Sequence, residues 1–198
     1  MKSFSLRTIK KICDTVGTVT VHDEYLTEVL QAELRHTGHD NAYYLECYQI
    51  AKQLSPKNVL VVSPWRGCVA ASIASGLDAA DAWTSEVVMS GGCRIAEDQA
   101  QCVELAEMYP NLTLLDGTQC PLDAFPGKGL IDMLCFGPVP YSIATAWIET
   151  YKPYLAKRAL IMWYGPTETV SRMIQSDNML IQSRGPVGSA VHIKYEGV

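Results

Sequence analysis

From residue 58 onward, short continuous apolar runs alternate with stretches of helical period, and this alternation most restricts what the chain can fold into. The runs "NVLVVS" (58–63), "AWTSEVVMS" (82–90), "NLTLLDG" (111–117), "LIDMLCFGP" (130–138) and "RALIMWYGP" (158–166) read as strands. Between them, "GCVAASIASG", "EDQAQCVELAEMYP", "YSIATAWIETYKPYLA" and, after the last run, "ETVSRMIQSD" read as helices. Strands with no polar alternation are buried on both faces, which is the habit of parallel sheets. Strands joined through helices need right-handed crossovers and place helices on both sides of the sheet. The closing stretch "NMLIQSRGPVGSAVHIKYEG" reads instead as two strands joined by a Gly/Pro turn, an antiparallel hairpin.

Ahead of the first strand the period is helical. In "DEYLTEVLQAELRHTG" the apolar face is Leu26, Val29, Leu30 and Leu34; in "NAYYLECYQIAKQLSP" it is Tyr44, Cys47, Tyr48, Ala51 and Leu54. Gly38 and Pro56 are their stops. The expected organisation is one domain over 1–198, with a helical cap (1–55) on an α/β, doubly wound, mostly parallel core (56–198) and the antiparallel hairpin at its end.

Three of the strands end alike: Val62-Ser63-Pro64, Phe136-Gly137-Pro138 and Tyr164-Gly165-Pro166. In a parallel sheet those endings share the carboxyl edge, where open α/β sheets bind ligands. Two readings stand together here, a shaped ligand crevice and plain strand termination by Gly-Pro turn chemistry.

Composition narrows the function classes. The net charge of −5 and the absence of a Lys/Arg-rich run leave no electrostatic footprint for nucleic acid. No run reaches the length of a membrane span, and the N-terminus lacks the apolar region of a secretory signal. A cytoplasmic location is expected. The seven cysteines include no C-x-x-C pair, so reduced, mostly buried thiols are expected and no metal. No G-x-S-x-G elbow and no P-loop occur, which removes those hydrolase and NTPase readings. "SPWRGC" also lacks the G-x-G-x-x-G of a dinucleotide-binding oxidoreductase.

The stretch "VLVVSPWRGCVAAS" (59–72), in this order of elements and after a helical cap, resembles the class I S-adenosylmethionine-dependent methyltransferases, and among them the small O-methyltransferase-like branch. The resemblance covers about residues 40 to 198. Gly67 stands at the second loop glycine with Ser72 on the helix that follows; Ile131-Asp132 matches the start of the fourth strand; Tyr141 sits where an aromatic follows it; Gly185 to Tyr195 resembles the closing hairpin. The resemblance implies S-adenosylmethionine as cofactor, direct methyl transfer to an unidentified small-molecule acceptor, and a Rossmann-like fold. It places the cofactor contacts at Ser63, Pro64, Trp65, Arg66, Gly67, Ser90, Gly91, Thr118 and Gly137.

The departures bear on chemistry. Val61 and Ser63 replace an acidic residue and a glycine; Ser90 replaces the ribose-binding acid, with Glu86 as the one nearby substitute; Thr118 and Gly137 stand where acids contact adenine or a metal in family members. Together they motivate the alternative that the chain is a catalytically inactive methyltransferase fold with a binding or assembly role. Trp147, Tyr151, Tyr154, Trp163 and Tyr164 are then either an interface, that of a homo-oligomer included, or core.

Trp65 and Arg66 have two readings each: cover and carboxylate partner for the cofactor, or packed surface tryptophan and solvated arginine. "SGGCRIAED" is an anion-cradling turn or simply a strand exit. His22 is a candidate general base or a helix-start residue. His36, His39 and Asp40 read as an inter-helix loop rather than a metal site, and His192 as structural. No catalytic residue is assigned.

Overall fold

A computed structural model describes residues 5–37, 41–91, 95–115, 120–125, 129–137, 139–165, 179–183 and 189–196. Helices α1 (Leu6–Asp14), α2 (Glu24–Thr37) and α3 (Ala42–Leu54) precede strand β1 (Asn58–Val62). Then follow α4 (Cys68–Asp78), β2 (Glu86–Ser90), α5 (Ala96–Met108), β3 (Leu112–Leu114), β4 (Ile131–Phe136), α6 (Tyr141–Tyr151), β5 (Leu155–Gly165), β6 (Met179–Ser183) and β7 (Ser189–Lys194). The sheet order is β3-β2-β1-β4-β5-β7-β6. Strands β1 to β5 pair in parallel, whereas β7 runs antiparallel to both β5 and β6. This is the doubly wound, mostly parallel fold expected from the alternation, with its closing hairpin and helical cap. Pro138, Pro166 and the stretch 168–177 lie outside the described residues.

The unbroken apolar runs are explained by the two cores they feed. In β1, Val59 and Val61 face a layer built with the cap helices, α4 and α5. Leu60 and Val62 face the opposite layer with α6. Residues of β4 from Met133 to Phe136, and of β5 from Ala159 to Tyr164, alternate between the same two layers, so neither face of these central strands tolerates a polar residue. Asp132 is the instructive exception: its Oδ2 accepts the backbone N–H groups of Lys57 (3.0 Å) and Asn58 (3.2 Å) at the amino edge, fixing the entry into β1.

Helix α1 has no counterpart in the sequence reading, because its nine residues bury only Ile9, Ile12 and Cys13 and the period is too short to stand out. Strand β5 begins earlier than its apolar run, since Lys157 and Arg158 are exposed within it. In α2 the buried position is Glu33, not Leu34, which is 43% exposed. Residues 26, 29, 30 and 33 form the inward stripe, and the apolar reading of Leu34 is corrected by one helical position.

Helix α4 is built of small residues because α3 lies directly on it. A Cβ at Gly76 would overlap the Tyr48 carbonyl of α3 and touch the Ala51 side chain at 3.1 Å. The two effects of Gly76→Ala oppose each other. Helix propensity favours alanine by about 1 kcal/mol, and overpacking against backbone costs about 1–3 kcal/mol. The backbone carbonyl cannot move aside as a side chain can, so packing wins. Gly76→Ala is expected to lower unfolding stability by about 1–2 kcal/mol in a urea titration, where a gain would refute this account.

Candidate functional site at the carboxyl edge of the sheet

The strand order reverses between β1 and β4, so their carboxyl ends diverge into the crevice where doubly wound sheets hold ligands. Three strand exits are stitched together there. The Ser63 N–H donates to the Ser90 carbonyl (2.9 Å), and the Gly137 N–H reaches the Val62 carbonyl (3.4 Å). Gly91 (φ 98°) and Gly137 flank Ser63 closely: a Cβ at Gly91 would lie 3.4 Å from Ser63 N, and one at Gly137 would lie 2.5 Å from Ser63 O. A side chain at Gly137 would collide with the Ser63 carbonyl, and one at Gly91 would rest against the Ser63 backbone.

The loop between β1 and α4 is tightly wound. Ser63 (φ 53°), Trp65 (φ 54°) and Gly67 (φ 81°) all take left-handed backbone conformations. For the two non-glycine residues this costs about 1–2 kcal/mol each, and it persists only where surroundings over-determine it. The Gly67 N–H donates to the Pro64 carbonyl (2.8 Å), closing the turn. A Cβ on Gly67 would fall 2.6 Å from Leu105 Cδ1 and 3.3 Å from Cys102 Sγ, so this glycine lets α5 seat directly under the loop. The Cys102 thiol donates to the Trp65 carbonyl (3.3 Å) from the same side.

Arg66 is held by its neighbours at the border of the crevice rather than free in solvent. Its Nε lies 3.2 Å from Glu33 Oε2 and donates to Gln101 Oε1 at 2.9 Å. Glu33, at 2% exposure, also accepts from the Tyr44 hydroxyl (3.3 Å). Burial, and after it the Glu33 carboxylate, push the neighbouring Cys68 thiol well above its ordinary range. Cys68 therefore stays protonated at neutral pH and is no nucleophile, although it sits at the helix start. Burial likewise pushes the Tyr43 and Tyr44 hydroxyls up. Tyr43 stacks on Tyr164 with ring centroids 4.6 Å apart. These tyrosines, Pro64, Trp65 and Gly137 enclose a cavity of about 10 Å³, one water in size, between the cap and the loop.

Eight of the nine positions named for cofactor contact thus gather at one edge: Ser63 to Gly67 on the loop, Ser90 and Gly91 beside it and Gly137 just after β4. Thr118 lies outside the described residues. Glu86 is corrected: it opens β2 at the amino edge, where it shares a pocket with Asp23, Trp83, Tyr109 and Asn111. His22 belongs to that far edge too. It is exposed and precedes Asp23, whose Oδ1 caps α2 at Leu26 N (2.9 Å) and whose Oδ2 accepts from the Tyr109 hydroxyl (2.8 Å). The helix-start reading of His22 holds and the general-base reading does not. His36 is exposed in the last turn of α2, and His39 and Asp40 lie outside the described residues.

The aromatic set proposed as an interface is mostly packed. Trp163 is 1% exposed and donates to the Val139 carbonyl (3.0 Å), and Trp147 stacks on Phe136. Tyr154 alone of the set is exposed. All six described cysteines are free thiols, and five of them are buried. Among the described residues no helix is long and apolar enough to cross a membrane.

A parallel sheet of this order, a tight β1–α4 turn at its reversal point and an antiparallel closing hairpin define the Rossmann-like fold of class I S-adenosylmethionine-dependent methyltransferases. Solved structures share it across nearly the whole chain. A methyltransferase from Geobacter sulfurreducens aligns at 16% identity with a TM-score of 0.59, covering 94% of this chain and 96% of its own. The methyltransferase from Podospora anserina bound to S-adenosylhomocysteine (SAH) aligns at 12% identity, TM-score 0.64, over 99% and 98%. The O-methyltransferase from Bacillus cereus in complex with SAH aligns at 11% identity, TM-score 0.61, over 94% and 99%. No family model and no curated protein matches the sequence.

The Glu33–Arg66 pair predicts an asymmetry. Arg66 keeps 20% of its side chain exposed while Glu33 keeps 3%, so only the carboxylate is stranded when its partner is lost. Arg66→Ala is expected to cost about 3–5 kcal/mol, as for a broken buried pair. Glu33→Leu should cost markedly less, because the arginine can turn to water, and adding Glu33→Leu to Arg66→Ala should recover most of the loss. Urea unfolding of the three variants checks the order; equal losses in both single variants would contradict it.

Proposed function

We propose that this chain is a methyltransferase that takes S-adenosylmethionine as cofactor and acts on a small-molecule acceptor. The observation that carries the reading is the glycine-flanked cradle at the reversal point of the sheet. Gly91 and Gly137 let the neighbouring strand exits close in on Ser63, so that main-chain groups rather than side chains line the edge directly above β1. The bound forms of the Podospora anserina and Bacillus cereus neighbours, which contain SAH, support it at the level of the fold.

The residues fit the group through backbone rather than side chains. The turn from Ser63 to Gly67 and the start of α4 present main-chain groups and a helix N-terminus to the crevice, which hold an anionic or polar ligand without any acidic residue. Ser90 and Gly91 border the ribose side, Gly137 the opposite side, and Thr118 is assigned to the adenine end. Trp65 covers the loop. When bound, the cofactor supplies an electrophilic methyl group; the chain's part is to orient that methyl towards the acceptor and keep water out. Tyr43, Tyr44 and Tyr164 are the side chains placed to do so, since they close the crevice beneath the cap.

A second reading, a methyltransferase fold retained for binding or assembly, rests on Ser90 and on Arg66. A carboxylate at the end of β2 would accept charge-assisted hydrogen bonds from a ribose diol, each worth about 1.5–3 kcal/mol, and the serine gives up most of that. Arg66, paired with Glu33, offers no charge to the methionine carboxylate.

Calorimetric titration with S-adenosylmethionine and SAH separates the readings. The methyltransferase reading expects binding of both; no heat and no thermal stabilisation at millimolar ligand would sink it. Ser90→Asp is expected to tighten SAH binding by about tenfold or more, restoring one charge-assisted bond. Gly137→Val, whose Cβ would drive the Ser63 carbonyl and its loop out of place, is expected to abolish binding. Tight binding without methyl transfer to any of a panel of hydroxylated small molecules favours the second reading.

A further inference from the structure

Beneath the crevice, three side chains from distant parts of the chain converge in the core. They are Cys13 at the end of α1, Glu46 in α3 and His192 in β7. Their exposures are 2%, 0% and 0%. The His192 Nε2 lies 3.8 Å from Cys13 Sγ and 3.5 Å from Glu46 Oε2, and one ligand atom from each of the three lies within 4.8 Å of the others. From these observations we propose that Cys13, Glu46 and His192 form a zinc site that clamps the helical cap to the closing hairpin.

Geometry is the first support. Zinc bonds of about 2.3 Å to sulfur, 2.0–2.1 Å to nitrogen and 2.0–2.2 Å to oxygen, at tetrahedral angles, give edges of about 3.6 Å (S···N) and 3.4 Å (N···O). The two separations from His192 exceed these by no more than a few tenths of an ångström, and the third edge, sulfur to carboxylate, lies within 4.8 Å, against about 3.6 Å around a bound zinc. The same ring nitrogen of His192 faces both the thiol and the carboxylate. A relay of the Cys-His-acid kind would use the two ring nitrogens for its two partners, whereas convergence on one point is what coordination requires.

Charge is the second support. A thiolate, a carboxylate and a neutral imidazole around one divalent ion sum to zero, and a neutral assembly carries the smallest penalty in a fully buried place. Cys13 gives up its proton to solvent as the metal binds, and His192 binds in its neutral form. The fourth position is left to water. The surroundings are rich in soft atoms: Cys135 and Met162 lie in the row of the sheet that leads to His192, and Cys47 follows Glu46 in α3. Sulfur and imidazole donors of this kind select zinc over calcium or magnesium.

The site lies one turn of α3 from Tyr43, which lines the crevice, so the clamp would hold the cap in the position that closes it. No spacing motif announces it: the ligands are separated by 33 and 146 residues and belong to two helices and one strand. The expectation of no metal, drawn from the missing C-x-x-C pair, tested only local spacing.

The experiment uses the full, reduced chain, stripped of metal with a chelator. Zinc is titrated against a chromophoric competitor, and cobalt is added in a parallel sample. One zinc per chain, a rise in the thermal midpoint on adding it, and a thiolate-to-cobalt charge-transfer band are expected. Cys13→Ser and His192→Asn should each weaken zinc binding by on the order of a hundredfold or more and remove the zinc-dependent rise, while Cys47→Ala keeps one zinc. Should a variant fail to fold, the wild-type stoichiometry and cobalt spectrum still decide. Less than one zinc per wild-type chain, a cobalt complex without the thiolate band, or zinc binding unchanged in folded Cys13→Ser overturns the proposal.

Discussion

The ion pair between Glu33 and Arg66 is the contact on which the crevice depends. A carboxylate at 2% exposure is costly unless a cation meets it, and the guanidinium that meets it belongs to the loop after β1. Because that guanidinium also donates to Gln101 of α5, the loop is tied both to the cap and to the helix beneath it. Two such ties explain how Ser63 and Trp65 stay in left-handed conformations that neither would choose alone. The pair adds little to net stability, as buried pairs seldom do, and its effect is on which arrangement of loop and cap is adopted.

That arrangement shifts the burden of recognition from side chains to backbone. Val61, Ser63, Ser90 and Gly137 put no formal charge on the ligand edge, yet the strand exits approach one another as closely as glycine permits. A cradle made of main-chain groups is insensitive to substitution everywhere except at positions that must lack a Cβ. It can therefore keep its backbone shape while the acidic positions change. Structures with 11–16% identity share the fold on the same terms, since burial pattern and a few close approaches specify it.

The parts of this fold that were legible in the sequence are those encoded in contiguous residues. Strands buried on two faces read as unbroken apolar runs, and the reversal-point loop followed from the first of them. Other features depended on partners far away in the chain. Leu34 and Glu33 occupy adjacent positions 100° apart on a helix, and only the presence of Arg66 across the cap makes the glutamate the buried one. Its trace in the sequence was a charge standing on the 26-29-30-33 stripe. Glu46 repeats the pattern in α3, on a stripe with Tyr43, Cys47 and Ile50. Glu86 could have served at the ligand edge only in a different register of β2, and the register was not legible in the sequence. Its partner Asn58 opens β1, which puts Glu86 at the wrong end.

The two buried glutamates point to a common logic for the cap. Helices α2 and α3 pack on α4 largely through apolar contacts, which are not directional and would permit the cap to slide or rotate over it. Each helix carries one carboxylate inward, and each carboxylate meets a nitrogen-bearing side chain from a different part of the core: Arg66 above the sheet edge, His192 within the sheet. A misplaced cap would strand both charges in a low-dielectric interior, at a cost of several kcal/mol per ion. Registry is therefore enforced by the penalty for the alternatives rather than by the strength of the pairs. The tight fit of Gly76 under Tyr48 adds a steric limit in the same direction. With the cap held at these points, Tyr43 and Tyr44 can occupy only one place, over the loop that the ligand would have to reach.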